Sequence, residues 1–138
     1  DDAEEAELIL DILEARRSAK ACYDDLIEFC KRVQPDYKVG RHHRILADEL
    51  MAVSEGEKDR ICVNIPPRHG KSQQCSIDFP AWYLARNPDK EIITASYSAE
   101  LAQDFGGKTR EKVNSQEFKL IFHEVTLKED EKAKRRNP

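Results

Sequence analysis

The sequence predicts an α/β fold: a parallel sheet flanked by helices and preceded by N-terminal helices. Two short β-branched runs, "RICVNI" at 60–65 and "EIITAS" at 91–96, supply the expected strands. Each is followed by a segment of helical spacing, so the order strand, loop, helix, strand, helix points to right-handed crossovers between parallel strands. Gly70-Lys71-Ser72, directly after the first run, marks the loop between them as a candidate phosphate cradle.

Three helices are expected ahead of that unit. From residue 3 to about 20, Ala6, Ile9 and Ile12 or Leu13 recur at helical spacing, with acids leading and Arg16, Arg17 and Lys20 following, which suits the helix dipole. Tyr23, Leu26, Ile27, Cys30 and Val33 share one side of a second helix, which ends before Pro35 because a residue ahead of proline leaves the helical region. Ile45, Leu46, Glu49, Leu50 and Val53 place a third between about Arg41 and Val53, closed by "SEGEKD". After the Gly-Lys-Ser, a helix is expected to bend or restart near Pro80, where an amide hydrogen is lost. "PAWYLARN" completes it, Asn87-Pro88-Asp89 turns the chain, and a last helix starts near Ala99. This divides the chain into an N-terminal helical segment (1–34), the first part of the α/β domain that carries the candidate phosphate loop (35–127) and a charged tail (128–138) without apolar periodicity.

Composition narrows the class. The 138 residues suit one modest core, and 36% charged against 39% apolar residues read as a globular chain with much solvated helix surface. No apolar run approaches a membrane span, and the acidic opening "DDAEEAELILDILEARR" lacks the basic and apolar regions of a secretory signal. A formal net charge of -4 argues against a generally basic surface while leaving room for a local basic strip. Cys22, Cys30, Cys62 and Cys75 have neither metal-hook nor dense disulfide spacing and read as reduced, buried small hydrophobes; the alternative is a zinc site of Cys30, Cys62, Cys75 and a histidine.

A phosphate loop needs a strand that delivers it, a turn of converging amides, a lysine for the β- and γ-phosphates and a hydroxyl for magnesium. "RICVNI", Pro66 to Gly70, Lys71 and Ser72 fill those places, although Ile65 stands where such a loop normally begins with glycine. The fold expected is therefore of the P-loop NTPase type. Arg68 reads either as an arginine finger supplied in cis or as the partner of a nearby carboxylate. His69 reads as a loop residue rather than a catalyst.

In order along the chain, "RHHRILADEL", "VNIPPRHGKS" and "FPAWYLARNPDKEIITASYSAELAQDFGGKTRE" resemble the ATPase domain of a tailed-phage terminase large subunit, the motor that packages DNA into the capsid. The resemblance covers roughly residues 37 to 125. It accounts for Ile65, because glycine-poor loops of the PPRHGKS kind characterise that family. It implies that Pro67, Arg68, His69, Gly70, Lys71 and Ser72 hold ATP, with Ser72 on Mg2+ and with Arg68 and Lys71 in the catalytic roles. Tyr37, His42 and His43 occupy the place of the adenine-holding segment, and Ser96, Tyr97 and Arg110 become candidates for coupling nucleotide state to DNA or to a neighbouring subunit. The implied partners are double-stranded DNA, the portal protein, the small terminase subunit and further copies in a homo-oligomeric ring, with no membrane. The implied location is the host cytoplasm, docked transiently on the procapsid.

Two departures qualify the expectation. The family hydrolyses ATP with a strand that ends in paired acids, and no apolar run here ends so; "KEDEK" at 128–132 follows no apolar strand. Nor are there the scattered strand aspartates of a metal-dependent nuclease. The sheet is thus expected to be incomplete, with an exposed edge that invites self-association, and the chain is expected to bind nucleotide weakly, if at all, without turning it over. Other readings of the same residues are a helicase-like P-loop ATPase and a catalytically silent interaction module whose leading helices bind a packaging partner.

Overall fold

The computed structural model describes residues 1–125, and helices are the regular secondary structure found among them. In order these are α1 (Asp2–Asp24), α2 (Leu26–Val33), α3 (Arg41–Ser54), α4 (Lys71–Gln73), a π-helical segment (Gln74–Asp78), α5 (Phe79–Arg86), α6 (Ala99–Asn114) and α7 (Gln116–Ile121). The tail expected at 128–138 lies outside the described residues, as do the last two residues of the 35–127 unit.

The expected parallel sheet is not formed: neither 60–65 nor 91–96 is a strand, and no backbone hydrogen bond among the described residues joins them. The physical reason is that an apolar alternation specifies which face is buried and does not supply a ladder partner. Ile61, Val63 and Ile65 are partly buried against the core while Cys62 and Asn64 are exposed, so this run keeps the period of a strand and satisfies it against helices. The second run finds less cover, and Ile93 is 95% exposed. A lone pair of short strands is marginal in water.

The helix boundaries follow from local chemistry. Asp25 leaves the helical region (φ -133°, ψ 122°) and ends α1, and its carboxylate then accepts from the amides of Ile27 (2.7 Å) and Glu28 (3.2 Å) to start α2. The Arg44 guanidinium holds the same carboxylate at 2.7 Å, tying α3 to this junction. Gln34, ahead of Pro35, is extended (φ -141°, ψ 91°) and stops α2. Ser98 and Ser115 cap α6 and α7 through their hydroxyls.

The core gathers on Trp82, fully buried on α5, whose indole N–H donates to the Cys22 carbonyl at 2.9 Å. Leu26, Ile27, Phe29 and Cys30 from α2, Leu46, Ala47 and Leu50 from α3, and Phe118, Ile121 and Phe122 from the C-terminal end complete it. Phe29 meets Phe118 edge-on at 6.1 Å, the arrangement favoured by ring quadrupoles. Each fully buried side chain of this size contributes about 1.5–3 kcal/mol. The leading helices therefore divide: α2 is built into the core, whereas residues 1–18 of α1 are all exposed. The cysteines also divide, Cys22 and Cys30 being buried, Cys75 half-buried and Cys62 exposed, contrary to the expectation that all four are buried.

Candidate functional site

The residues from Ile65 to Gln73 curl around a concavity of about 470 Å³. Two of them adopt left-handed backbone: Gly70 (φ 78°), where glycine is at ease, and Arg68 (φ 64°), where a side-chain-bearing residue is strained. Gly70 then caps α4, its carbonyl accepting from the Gln74 amide at 2.9 Å. Arg68, Lys71 and Ser72 are exposed at the rim of this concavity, and neither cation makes an ion pair among the described residues. Of the two readings of Arg68, the carboxylate partner is thus not seen. Two exposed cations and a hydroxyl around an open concavity are a donor set suited to a polyphosphate with a hard divalent cation.

Behind the loop stands a column of imidazoles. The His42 and His43 rings lie 3.9 Å apart, tilted by 40°, and the His69 ring meets His42 edge-on at 5.6 Å. His69 donates through Nδ1 to the Pro67 carbonyl (2.8 Å), and His42 donates through Nε2 to the His69 carbonyl (3.1 Å), so the loop is bonded both to itself and to α3. His43 backs Gly70 so closely that a Cβ there would sit 2.7 Å from Nε2. Its Nδ1 accepts from the Gly40 amide at 2.9 Å. Burial, with the neighbouring His42 adding to it, lowers the pKa of His43 from its ordinary 6.5.

Beneath these lies a buried polar cluster that the sequence did not announce. Asp78 is fully buried in the π-helical segment and forms an ion pair with Lys112 of α6. It also accepts from the Gln73 amide (3.0 Å) and the Cys30 thiol (3.6 Å). Gln74, likewise fully buried, donates through its side-chain amide to the His43 carbonyl at 2.9 Å and leaves its side-chain Oε1 without a partner. The π-turn belongs to Pro80: its ring has no N–H for the Ser76 carbonyl, and the Thr109 hydroxyl approaches that carbonyl at 3.3 Å instead. Only the expected bend near Pro80 pointed here.

The structure brings together Pro67, Arg68, His69, Gly70, Lys71, Ser72 and, behind them, His43. Tyr37 faces the other way. Its ring leans on His43 at 5.4 Å, but its hydroxyl is buried without a hydrogen-bond partner, and burial together with Cys30 and Asp78 pushes its pKa well above the ordinary 10. Such a side chain supports the loop from within and does not fit the role of holding a base in the open concavity. Ser96 and Tyr97 are exposed, and neither lines this concavity. No cluster of three or more His, Cys, Asp or Glu with metal-binding geometry occurs among the described residues. No helix among them is long and apolar enough to cross a membrane. Comparison with family models, with curated proteins and with solved structures finds no match for this chain.

Proposed function

We propose that this chain is the ATP-binding part of a phage terminase large subunit, contributing the phosphate loop of a motor that packages double-stranded DNA. One observation carries the reading: Arg68, Lys71 and Ser72 are exposed around one concavity whose turn is held by Gly70 and backed by His43. In this reading Lys71 and Arg68 neutralise the β- and γ-phosphates and Ser72 binds Mg2+. The succession of motifs around the loop, from "RHHRILADEL" to "GGKTRE", adds the terminase assignment, with DNA, portal and small subunit as partners of the assembled motor. Turnover is not expected of this chain, because no apolar run in it ends in the acid pair that activates water.

Titration calorimetry with ATP and Mg2+ tests the site. The chain gives a saturable heat, Lys71→Ala removes it, and the far-ultraviolet circular dichroism of the two proteins superimposes. Absence of heat from the unsubstituted chain at millimolar ATP overturns the nucleotide reading in favour of an interaction module. ATP hydrolysis that disappears in Lys71→Ala overturns the expectation of no turnover.

A further inference from the structure

Helix α1 outruns the core that anchors it. Ala19, Cys22 and Tyr23 hold its C-terminal end, yet Leu8, Ile9, Ile12 and Leu13 are 59%, 49%, 44% and 54% exposed. At 100° per residue these four fall on one side of the helix, and Glu5 and Arg16 fall in the middle of that side, one turn beyond the apolar group at either end. Glu5, Ile9, Ile12, Arg16 and Ala19 are spaced four, three, four and three apart, the seam of a coiled coil.

Charge along α1 is also divided. Residues 1–14 hold seven acids and no base, whereas Arg16, Arg17 and Lys20 follow without an acid until Asp24. Reversed end for end, the helix is complementary to itself. One register sets Ile9 against Ile12 of the second copy, Leu8 against Leu13, Glu5 against Arg16 and Glu4 against Arg17. It pairs acid with base at both ends and apolar with apolar at the centre. A parallel pair would instead set Glu5 against Glu5 and Arg16 against Arg16, and antiparallel order also opposes the two helix dipoles favourably.

We propose that residues 4–17 of α1 form a self-association surface that binds the same stretch of a second copy of this chain in antiparallel order, giving a closed two-fold dimer. The surface is separate from the phosphate loop and does not depend on its assignment.

Sedimentation equilibrium of the full chain, under reducing conditions because Cys62 is exposed, tests it with three samples. The unsubstituted chain dimerises in the micromolar to submillimolar range. Glu5→Arg or Arg16→Glu alone sets like charges together at both ends of the seam and weakens the dimer by at least about tenfold. An equimolar mixture of the two variants restores it, because each copy now carries the complement of the other. Both positions are exposed, so unchanged Trp82 fluorescence is expected and separates loss of association from loss of fold. A monomeric unsubstituted chain across that range overturns the proposal. So do single variants that associate as well as the parent, which would place the contact elsewhere, and so does a mixture that fails to recover.

Discussion

His43 holds two structures at once, and its protonation state decides whether it can. Its Nδ1 accepts the Gly40 amide at the start of α3, and its Nε2 face lies against Gly70 at the turn of the phosphate loop. Only a neutral ring has a lone pair at Nδ1; a protonated one would present a hydrogen to the Gly40 hydrogen. Burial, then His42, lowers its pKa below the ordinary 6.5, against the opposing pull of its bond to the His69 backbone. The native state thus binds this proton less readily than the unfolded chain. The stability it contributes is fully present above the ordinary imidazole range and is lost as pH falls through the depressed native value. The urea midpoint of the chain is expected to fall between about pH 7 and about pH 5, where imidazoles titrate, and His43→Asn should flatten that fall. Asparagine keeps an acceptor for Gly40 without a titrating ring. An equal pH slope in parent and variant would remove His43 as the source. The variant is informative because His42, His69 and His123 are present in both proteins. Of the loop residues, Lys71, Ser72 and Gly70 were legible from the motif, whereas the role of His43 was not. Its partner Gly40 is three residues away, but its contact with Gly70 spans 27 positions and exists only after α3 docks.

Between α4 and α5 the chain keeps turning but changes its hydrogen bonding, and the Phe79 amide reaches back five residues to the Gln74 carbonyl. The register shift turns Asp78 fully inward, where Lys112, Gln73 and Cys30 surround it. A carboxylate so placed raises the pKa of the Cys30 thiol beyond what burial alone does. The cluster ties α6 and α2 to the residue that follows Ser72, so the rim of the concavity rests on a buried ion pair. Removing one partner of such a pair leaves the other charge stranded, which costs more than the pair itself contributes. Asp78→Ala should therefore destabilise the chain by about 3 kcal/mol or more in urea unfolding followed by Trp82 fluorescence. A loss below about 1 kcal/mol would rank the contact with surface pairs and relieve the cluster of its supporting role. Most helix positions were readable from apolar spacing, with Pro35 and Pro80 marking boundaries, whereas α7, which Ser115 caps, was not anticipated. The two expected strands misled because Ile61, Val63 and Ile65 do alternate, but the face they bury is covered by helices rather than by a second strand. The Asp78–Lys112 pair spans 34 residues of sequence, and nothing local signals it.

At the scale of the molecule, the packing separates a helical core from a projecting arm. The core closes on Trp82 through contributions from α2, α3, α5 and α7, and the described chain ends with Val125 packed against it. Arg86 adds a lateral clasp, its guanidinium lying 4.3 Å from the Trp82 ring centre and 5.0 Å from that of Tyr23, while its terminal nitrogen meets Glu55 at 2.9 Å. All of these contacts involve residue 19 or later on the α1 side; residues 1–18 contribute no buried side chain. An isolated helical arm of that length is marginal in water, since short helices depend on packing for most of their stability. Removing residues 1–17 should then leave the unfolding free energy, from urea titration followed by Trp82 fluorescence, within about 0.5 kcal/mol of the parent at low protein concentration, the range of surface changes. Concentration matters because a dimer through α1 would stabilise the longer chain by mass action. At high concentration the parent should unfold later than the truncated chain, and at low concentration the two should converge. A truncated chain that unfolds earlier at every concentration would mean that the arm is part of the folding unit. One as stable as the parent throughout would confine α1 to a role outside both folding and association.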